Sequence, residues 1–240
     1  MELSDRQLQL LKSIVEEYIN TAEPVGSEGI ERKYDLGVSP ATIRIEMSKL
    51  TDMGYLRQPH TSAGRIPTSA GFRLYIQSLM KEKELPVAAE VSTKERMWEQ
   101  RGREERLIRE AVKALSQRCG VLGIAIDQDD QIYYAGVSSI LDWPEFYDID
   151  VTKFVLSLFD EFPVLKKIIS YAKGEDPIHI LFGEEMEFQN LKSIGFVFTQ
   201  YEFKDRDKGV IGVIGPARMN FPMILPWVKY IKGVIYEAGK

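Results

Sequence analysis

Thr42, Arg44, Ile45 and Lys49 stand out in this 240-residue chain because they share the outward side of one short helix. Ser39 can cap that helix, and Pro40 suits its first position. Ile43, Met47 and Leu50 recur at i, i+4 and i+7 as an inward stripe, and the four residues named first fall off it. Gly54 ends the helix. Tyr55-Leu56-Arg57-Gln58 suits a strand, Thr61-Ser62-Ala63-Gly64 a loop and Arg65-Ile66 a second strand, which together predict a short arginine-tipped hairpin. No acidic residue occurs between Asp52 and Glu82, whereas Arg57, Arg65, Arg73 and Lys81 do. A helix that presents donors and a cation fits the major groove of DNA, and hairpin cations fit phosphates or a minor groove. The pattern nominates Ser39, Thr42, Arg44, Ile45, Lys49, His60, Thr61, Ser62, Arg65 and Arg73 as DNA contacts. Ordinary alternatives stand beside this: solvated helix residues at Thr42 and Arg44, a surface arginine at Arg65, and a packed wing turn at His60.

The neighbouring segments are those such a helix needs. Ser4-Asp5-Arg6-Gln7 reads as a capping box, opening a helix to about Asn20 with Leu8, Leu11, Val15 and Ile19 on one face. Glu23-Pro24-Val25-Gly26 breaks it. A short helix over 27–34, a turn holding Gly37 and the helix from Ser39 make a helix-turn-helix pattern, and the hairpin makes it winged. A last helix over 69–82 carries Phe72, Leu74, Tyr75 and Leu79.

The remainder alternates helices and strands. One long charged helix is expected over 93–118, polar at first apart from Met97 and Trp98, then striped with Leu107, Ile108, Ala111, Val112 and Leu115. Hairpins are expected from 121–126 with 132–137, and from 194–203 with 209–215 around Lys204-Asp205-Arg206-Asp207-Lys208. A helix over 151–162 continuing past Pro163 to 171, a strand over 178–182 and a final helix over 221–237 complete an α+β sheet domain. The expected organisation is a DNA-binding domain over 1–82, a linker and long helix over 83–118, and a regulatory or dimerisation domain over 119–240.

Composition narrows the function classes. Net charge is −5, so any DNA-binding surface must be a local basic patch with the acidic excess elsewhere. No stretch reaches the roughly 18 apolar residues of a membrane helix, and Met1-Glu2-Leu3-Ser4-Asp5 does not read as a signal peptide. The single cysteine, Cys119, excludes an intramolecular disulfide and suits a reducing cytoplasm. Asp127, Asp129 and Asp130 resemble the start of a calcium loop, but Ile132 occupies the glycine slot and Ser138 the slot of the closing glutamate, so a hairpin turn is expected. Cys119 and His179 lack a third partner and an elbow motif. The run Gly209-Val-Ile-Gly-Val-Ile-Gly215 lacks the lysine of a phosphate loop and alternates like a strand, its glycines allowing close packing. No enzyme activity, cofactor or metal is expected.

Three segments carry a family resemblance. The run SPATIRIEMSKLTDMGYLRQPHTSAGRIPTSAGFRLY from Ser39 to Tyr75 resembles the DNA-binding domain of the bacterial heat-inducible transcription repressor family, HrcA. Gly212-Val213-Ile214-Gly215-Pro216-Ala217-Arg218-Met219-Asn220-Phe221 resembles that family's closing signature GVIGPTRMDY. Leu141-Asp142-Trp143-Pro144-Glu145-Phe146 is similar to its LL-x-x-PEF segment. The resemblance implies an N-terminal winged helix-turn-helix followed by a GAF-like α+β sheet domain. It implies a homodimer on an inverted-repeat operator in double-stranded DNA, repression of chaperone genes relieved by heat or unfolded protein, and a chaperonin among the partners. Members of the family usually carry Asn where Ile45 stands. They are also longer, with a dimerisation domain inserted in the C-terminal half, whereas only about 90 residues separate Val121 from Gly212 here. The candidates for the dimer surface are then the expected long helix over 93–118, through Met97 and Trp98, and the exposed face of the C-terminal sheet, of which the helix is favoured. A small-molecule-responsive regulator, with an effector in the sheet domain, is the competing class. A catalytic domain fused to a DNA-binding head is a further one.

Overall fold

The computed structural model describes residues 3–34, 36–174, 176–203 and 207–240. They form two compact units, Met1–Lys81 and Glu82–Lys240, each with its own core.

The first unit opens with α1 (Asp5–Thr21), whose capping box forms as expected: Gln7 N donates to Ser4 Oγ at 3.4 Å, and Ser4 N donates to Gln7 Oε1 at 3.0 Å. The buried face differs from the expected one. Gln7, Leu10, Leu11, Ile14 and Val15 point inward, while Leu8 and Ile19 are half-buried. Leu10, Leu11, Ile14 and Val15 form the apolar stripe that is buried, and Gln7 on the same side donates to Glu46 Oε2 at 2.9 Å. α2 (Ser27–Lys33) and α3 (Pro40–Asp52) follow, with Gly37 between them at φ +64°. Ser39 caps α3 through Thr42 N at 3.3 Å, Pro40 fills the first turn, and Ile43, Met47 and Leu50 are buried. Gly54, at φ +82°, turns the chain into a two-residue ladder of β1 (Leu56–Arg57) and β2 (Ile66–Pro67), paired Leu56 to Pro67 and Arg57 to Ile66. Thr68 then caps α4 (Ser69–Leu74), which runs on into a π-turn over Tyr75–Leu79 and stops short of the expected residue 82.

The second unit corrects the expected long helix. α5 (Val87–Trp98) and α6 (Glu104–Cys119) are separate, with Gly102 at φ +82° in the turn between them. They fold back on each other. Arg118 donates to Thr93 Oγ1, the Ala89 carbonyl and Ser92 Oγ at 2.8–3.2 Å, and Arg96 meets Glu110 at 3.5 Å and Gln117 at 3.2 Å. An antiparallel pair of this kind needs a left-handed residue in its turn, and Gly102 supplies it. Met97 is therefore fully buried inside the unit.

A five-stranded antiparallel sheet follows: β3 (Leu122–Ile126), β4 (Ile132–Ala135), β5 (His179–Phe182), β6 (Ile194–Phe203) and β7 (Asp207–Pro216), in the order β4-β3-β7-β6-β5. The β6–β7 hairpin forms, with Asp207 and Lys208 already paired in β7 rather than in the expected turn, and its tip at 204–206 lies outside the described residues. The expected helix over 151–171 is two: α7 (Ile149–Ser157) and α8 (Phe162–Ser170), because Pro163 opens the second one. The chain closes with α9 (Phe221–Gly239). One sheet face, including Leu122, Ile124, Phe196, Phe198 and Ile214, packs under α7, α8 and the 3-10 turns around Ile140 and Phe146. The other packs against α6 and α9. Glycines allow close approach both between layers and within the sheet. A Cβ at Gly123 would lie 2.5 Å from the Val112 carbonyl of α6, and one at Gly212 would lie 2.1 Å from the Val197 carbonyl of β6.

An ion pair joins the two C-terminal signature segments. Arg218, 5% exposed, donates from Nε to Glu145 Oε1 at 2.6 Å and from Nη2 to Oε2 at 3.1 Å. Its guanidinium lies 5.1 Å from the Trp143 ring, whose Nε1 donates to the Gly120 carbonyl at 3.0 Å. The residues 73 positions apart thus clamp the turn before α7 onto the end of β7. Removing one partner strands the other charge with little water. Arg218→Met should cost about 3–5 kcal/mol, and the Arg218→Met/Glu145→Met pair should recover most of it. Thermal unfolding of the second unit's transition measures both, and an unshifted transition in the single variant would count against the clamp.

Candidate nucleic-acid interface

α3 presents its candidate side chains as its capping and stripe require. With Ile43, Met47 and Leu50 buried, Arg44, Ile45 and Lys49 are exposed and Thr42 is half-buried. Ile45 leaves 58% of its surface in water, a large apolar exposure for a helix whose other face makes the core. Ser48, which the sequence reading passed over, shares this face, and its i+4 spacing from Arg44 was the available signal.

Glu46, on the flank of this helix, is neutralised by its neighbours. Glu46 accepts from Lys49 Nζ at 2.8 Å and from Gln7 Nε2. The Lys49 ammonium holds its carboxyl below the usual range against desolvation, and the Gln7 amide adds a smaller effect in the same direction as Lys49. Lys49 is thus an ion-pair partner in the protein alone and must turn from Glu46 to meet any phosphate.

The hairpin differs from an arginine-tipped one. Arg65 lies at its base: its backbone exchanges two hydrogen bonds of 2.9 Å with Val25, and its Nε donates to Thr51 Oγ1 at 3.1 Å at the end of α3. The tip is His60-Thr61-Ser62-Ala63. There Gln58 Nε2 donates to the Thr61 and Ala63 carbonyls at 2.9 Å each, and His60 Nδ1 meets Ser62 Oγ at 3.1 Å. Gly64 permits the Val25 bridge, since a Cβ there would fall 2.3 Å from the Val25 carbonyl oxygen. Between α3 and the loop lies a cleft of about 370 Å³ that brings Arg44, Thr61, Ser62 and Arg65 together and has no acidic residue in its lining. Thr42, Ile45 and Lys49 lie around α3 from it. Arg73 belongs to the last turn of α4, half-exposed and away from the cleft. Gln58, Gly64 and Val25 were missed because their roles are long-range or backbone ones.

The other candidate chemistries resolve into structure. Asp127 Oδ1 accepts from Asp129 N and Gln131 N, and Oδ2 accepts from the Tyr133 hydroxyl, so this carboxylate closes the β3–β4 turn. Cys119 is buried in α6, and desolvation pushes its thiol up to about 12. His179 tilts over Phe198 on edge strand β5, which lies three strands, or about 14 Å, across the sheet from β3. The apolar cavity under α8, walled by Ile124, Leu165, Phe196 and Val210, is about 20 Å³, room for a single water rather than an effector. Among the described residues no helix is long and apolar enough to cross a membrane.

Cations on one helix and one hairpin of the first unit, and an antiparallel sheet covered on both faces in the second, define a two-unit α+β protein. Residues 68–225 match the family profile of the HrcA protein C-terminal domain. The chain is 30% identical to the heat-inducible transcription repressor HrcA of Desulforamulus reducens, over 94% of each chain, and 28% identical to that of Symbiobacterium thermophilum, over 99% of each. It belongs to the HrcA family of heat-inducible transcription repressors. The two alignments run over 326 and 338 positions, more than the 240 residues of this chain, so these relatives carry internal residues with no counterpart here. A crystal structure of a hypothetical protein at 2.2 Å resolution superposes with a TM-score of 0.79 at 19% identity, over 99% of this chain and 98% of that one, which supports the fold.

The buried thiol has a direct consequence. With its pKa near 12, Cys119 holds little thiolate at pH 8. A disulfide reagent should label it at least about a thousandfold faster in denaturant than in the native protein. Equal rates in both would mean that Cys119 is exposed in solution.

Proposed function

We propose that the first unit is a winged helix-turn-helix domain that reads an inverted-repeat operator, and that the second is a GAF-like regulatory domain, in a cytoplasmic homodimeric repressor of heat-shock chaperone genes. The observation that carries the DNA reading is the acid-free cleft in which Arg44 of α3 and Arg65 of the wing meet, beside the exposed outer face of α3. α3 acts as the recognition helix, with Arg44, Ile45, Ser48 and Lys49 toward base edges and Ser39 and Thr42 toward the backbone. Arg65 acts through a phosphate, held in place by Thr51 and the Val25 bridge. A wing fixed before DNA arrives loses less side-chain freedom on binding. Family membership supports repression rather than catalysis. Selection of bound sequences from a random duplex pool should return an inverted repeat, and a pool that stays unenriched would reject sequence-specific binding.

Two substitution series follow from this reading. Arg65→Ala should lower the slope of log affinity against log salt by about one, whereas Arg44→Ala should relax base preference at one position of the half-site. Thr51→Val keeps the Arg65 charge but removes its anchor, so the slope should hold while operator affinity falls severalfold. An unchanged operator affinity in Thr51→Val would mean that the anchor is not what fixes Arg65. The second series concerns Ile45, which can touch a thymine methyl but cannot make the two hydrogen bonds that asparagine makes to adenine. Ile45→Asn should move the selected sequence toward adenine at one position per half-site. The same selected sequence from both proteins would remove Ile45 from the readout.

A further inference from the structure

Apolar side chains stand exposed on two surfaces of the second unit. Leu141, Tyr147 and Ile149 project around the turn before α7, among Asp142, Asp148 and Asp150. Val87 (72% exposed) and Val91 (49%) project from α5, and Tyr236 (48%) projects from α9. Val87, Val91 and Trp98 lie four and seven residues apart, in one stripe of α5. Lys229, Gly233, Tyr236 and Lys240 recur at four, three and four residues along the exposed ridge of α9. Lys94 meets Glu237 at 2.6 Å and the Tyr230 hydroxyl donates to the Glu90 carbonyl at 2.8 Å, so the two helices lie side by side and the two stripes border one groove.

Gly233 is the informative position in that groove. Glycine weakens a helix interior relative to alanine. A Cβ there would meet nothing within 4 Å, so packing inside the described unit does not call for it. The space it leaves is at the surface, where another backbone could come close.

We propose that the α5/α9 face is the dimer surface, and that its occupant is the same face of a second copy of this chain, related by a two-fold axis. The inference rests on the reading of the first unit as the head that binds an inverted repeat. Charge selects this face over the other. Lys94 pairs with Glu237 and Lys229 with Glu82, so both signs surround the apolar stripe, and a two-fold rotation sets no cluster of one sign against itself. The same rotation at Leu141 and Tyr147 would bring Asp142, Asp148 and Asp150 against their own copies. Connectivity points the same way. α5 starts six residues after the first unit ends, a reach of at most roughly 20 Å. Pairing at α5 therefore tethers two heads within range of half-sites roughly 34–36 Å apart.

Sedimentation equilibrium of the full chain tests this. The wild type should dimerise. Val87→Glu/Val91→Glu should weaken dimerisation at least about tenfold with an unchanged thermal transition, and Leu141→Glu/Tyr147→Glu should leave it intact. Gly233→Leu should raise the unfolding temperature of α9's unit through helix propensity and still weaken pairing, which a merely structural glycine would not do. A wild type that stays monomeric at concentrations that saturate its selected DNA would overturn the proposal, as would α5 variants that pair as the wild type does. Loss of pairing in the Leu141/Tyr147 variant would move the interface there and overturn it too. Binding to random duplex at low salt is measured alongside. If wild type and variants all fail to bind duplex, the DNA reading falls while the dimer result stands by itself.

Discussion

On the proposed reading, a chain of net charge −5 that engages a polyanion has to build its binding surface locally, and the first unit is where it does so. Long-range attraction is absent, so a few cations must be placed where they act at contact distance. The fold does this partly by removing acid and partly by fixing position. No carboxylate lies between Asp52 and Glu82, and Glu46 on α3 is absorbed by Lys49 and Gln7. Arg65 is pinned by a backbone bridge and a hydroxyl rather than by an acid, so its position is set without its charge being spent. The capping box of α1 takes part as well, since the glutamine that closes the box also reaches Glu46 and ties α1 to the helix that carries the site.

The second unit depends on a different kind of contact. Its sheet is covered on both faces, and the cover on the α7 side starts from turns with little regular structure. Arg218 and Glu145 fasten those turns to the strand end, and Trp143 stacks on the cation while reaching back to Gly120. A buried pair is weak evidence for net stability. Its value here is register: the bidentate geometry accepts one placement of the turn. That both partners fall within the two C-terminal segments of family resemblance is a physical reason for those segments to be recognisable at all.

Features set by local chemistry were legible in the sequence. The α3 stripe, the Ser39 cap, the glycine that ends the helix and the hairpin strands all depend on residues within one or two turns of each other. The failures share a cause in distance. Gly102 looks like any tolerated glycine in a polar run until α5 is seen folded back on α6, and Met97 looks unpartnered until that fold buries it. The placement of Arg65 at the base of the hairpin depends on Val25, forty residues earlier, and on Thr51, fourteen earlier. The clamp between Glu145 and Arg218 spans 73 residues, and neither segment alone announces the other.

The helix pair at α5 and α9 joins these arguments. α5 is held to its unit by Met97 in the core and by Arg118, whose donors go to Ala89, Ser92 and Thr93 and whose guanidinium lies 5.3 Å from the Trp227 ring of α9. No carboxylate takes part in those Arg118 contacts, while the Arg96–Glu110 and Lys94–Glu237 ion pairs add to the attachment. On the proposed reading the same short helix is anchor, dimer face and tether of the DNA-binding head. Pairing and the attachment of α5 would then be one equilibrium: a partner that binds only the docked helix stabilises it, and whatever frees the helix releases the partner. Heat could therefore dissociate the dimer and uncouple the two heads in one step, without an effector or an inserted domain. A chain that lacks the internal residues of its relatives could in this way keep a heat response with the elements it retains.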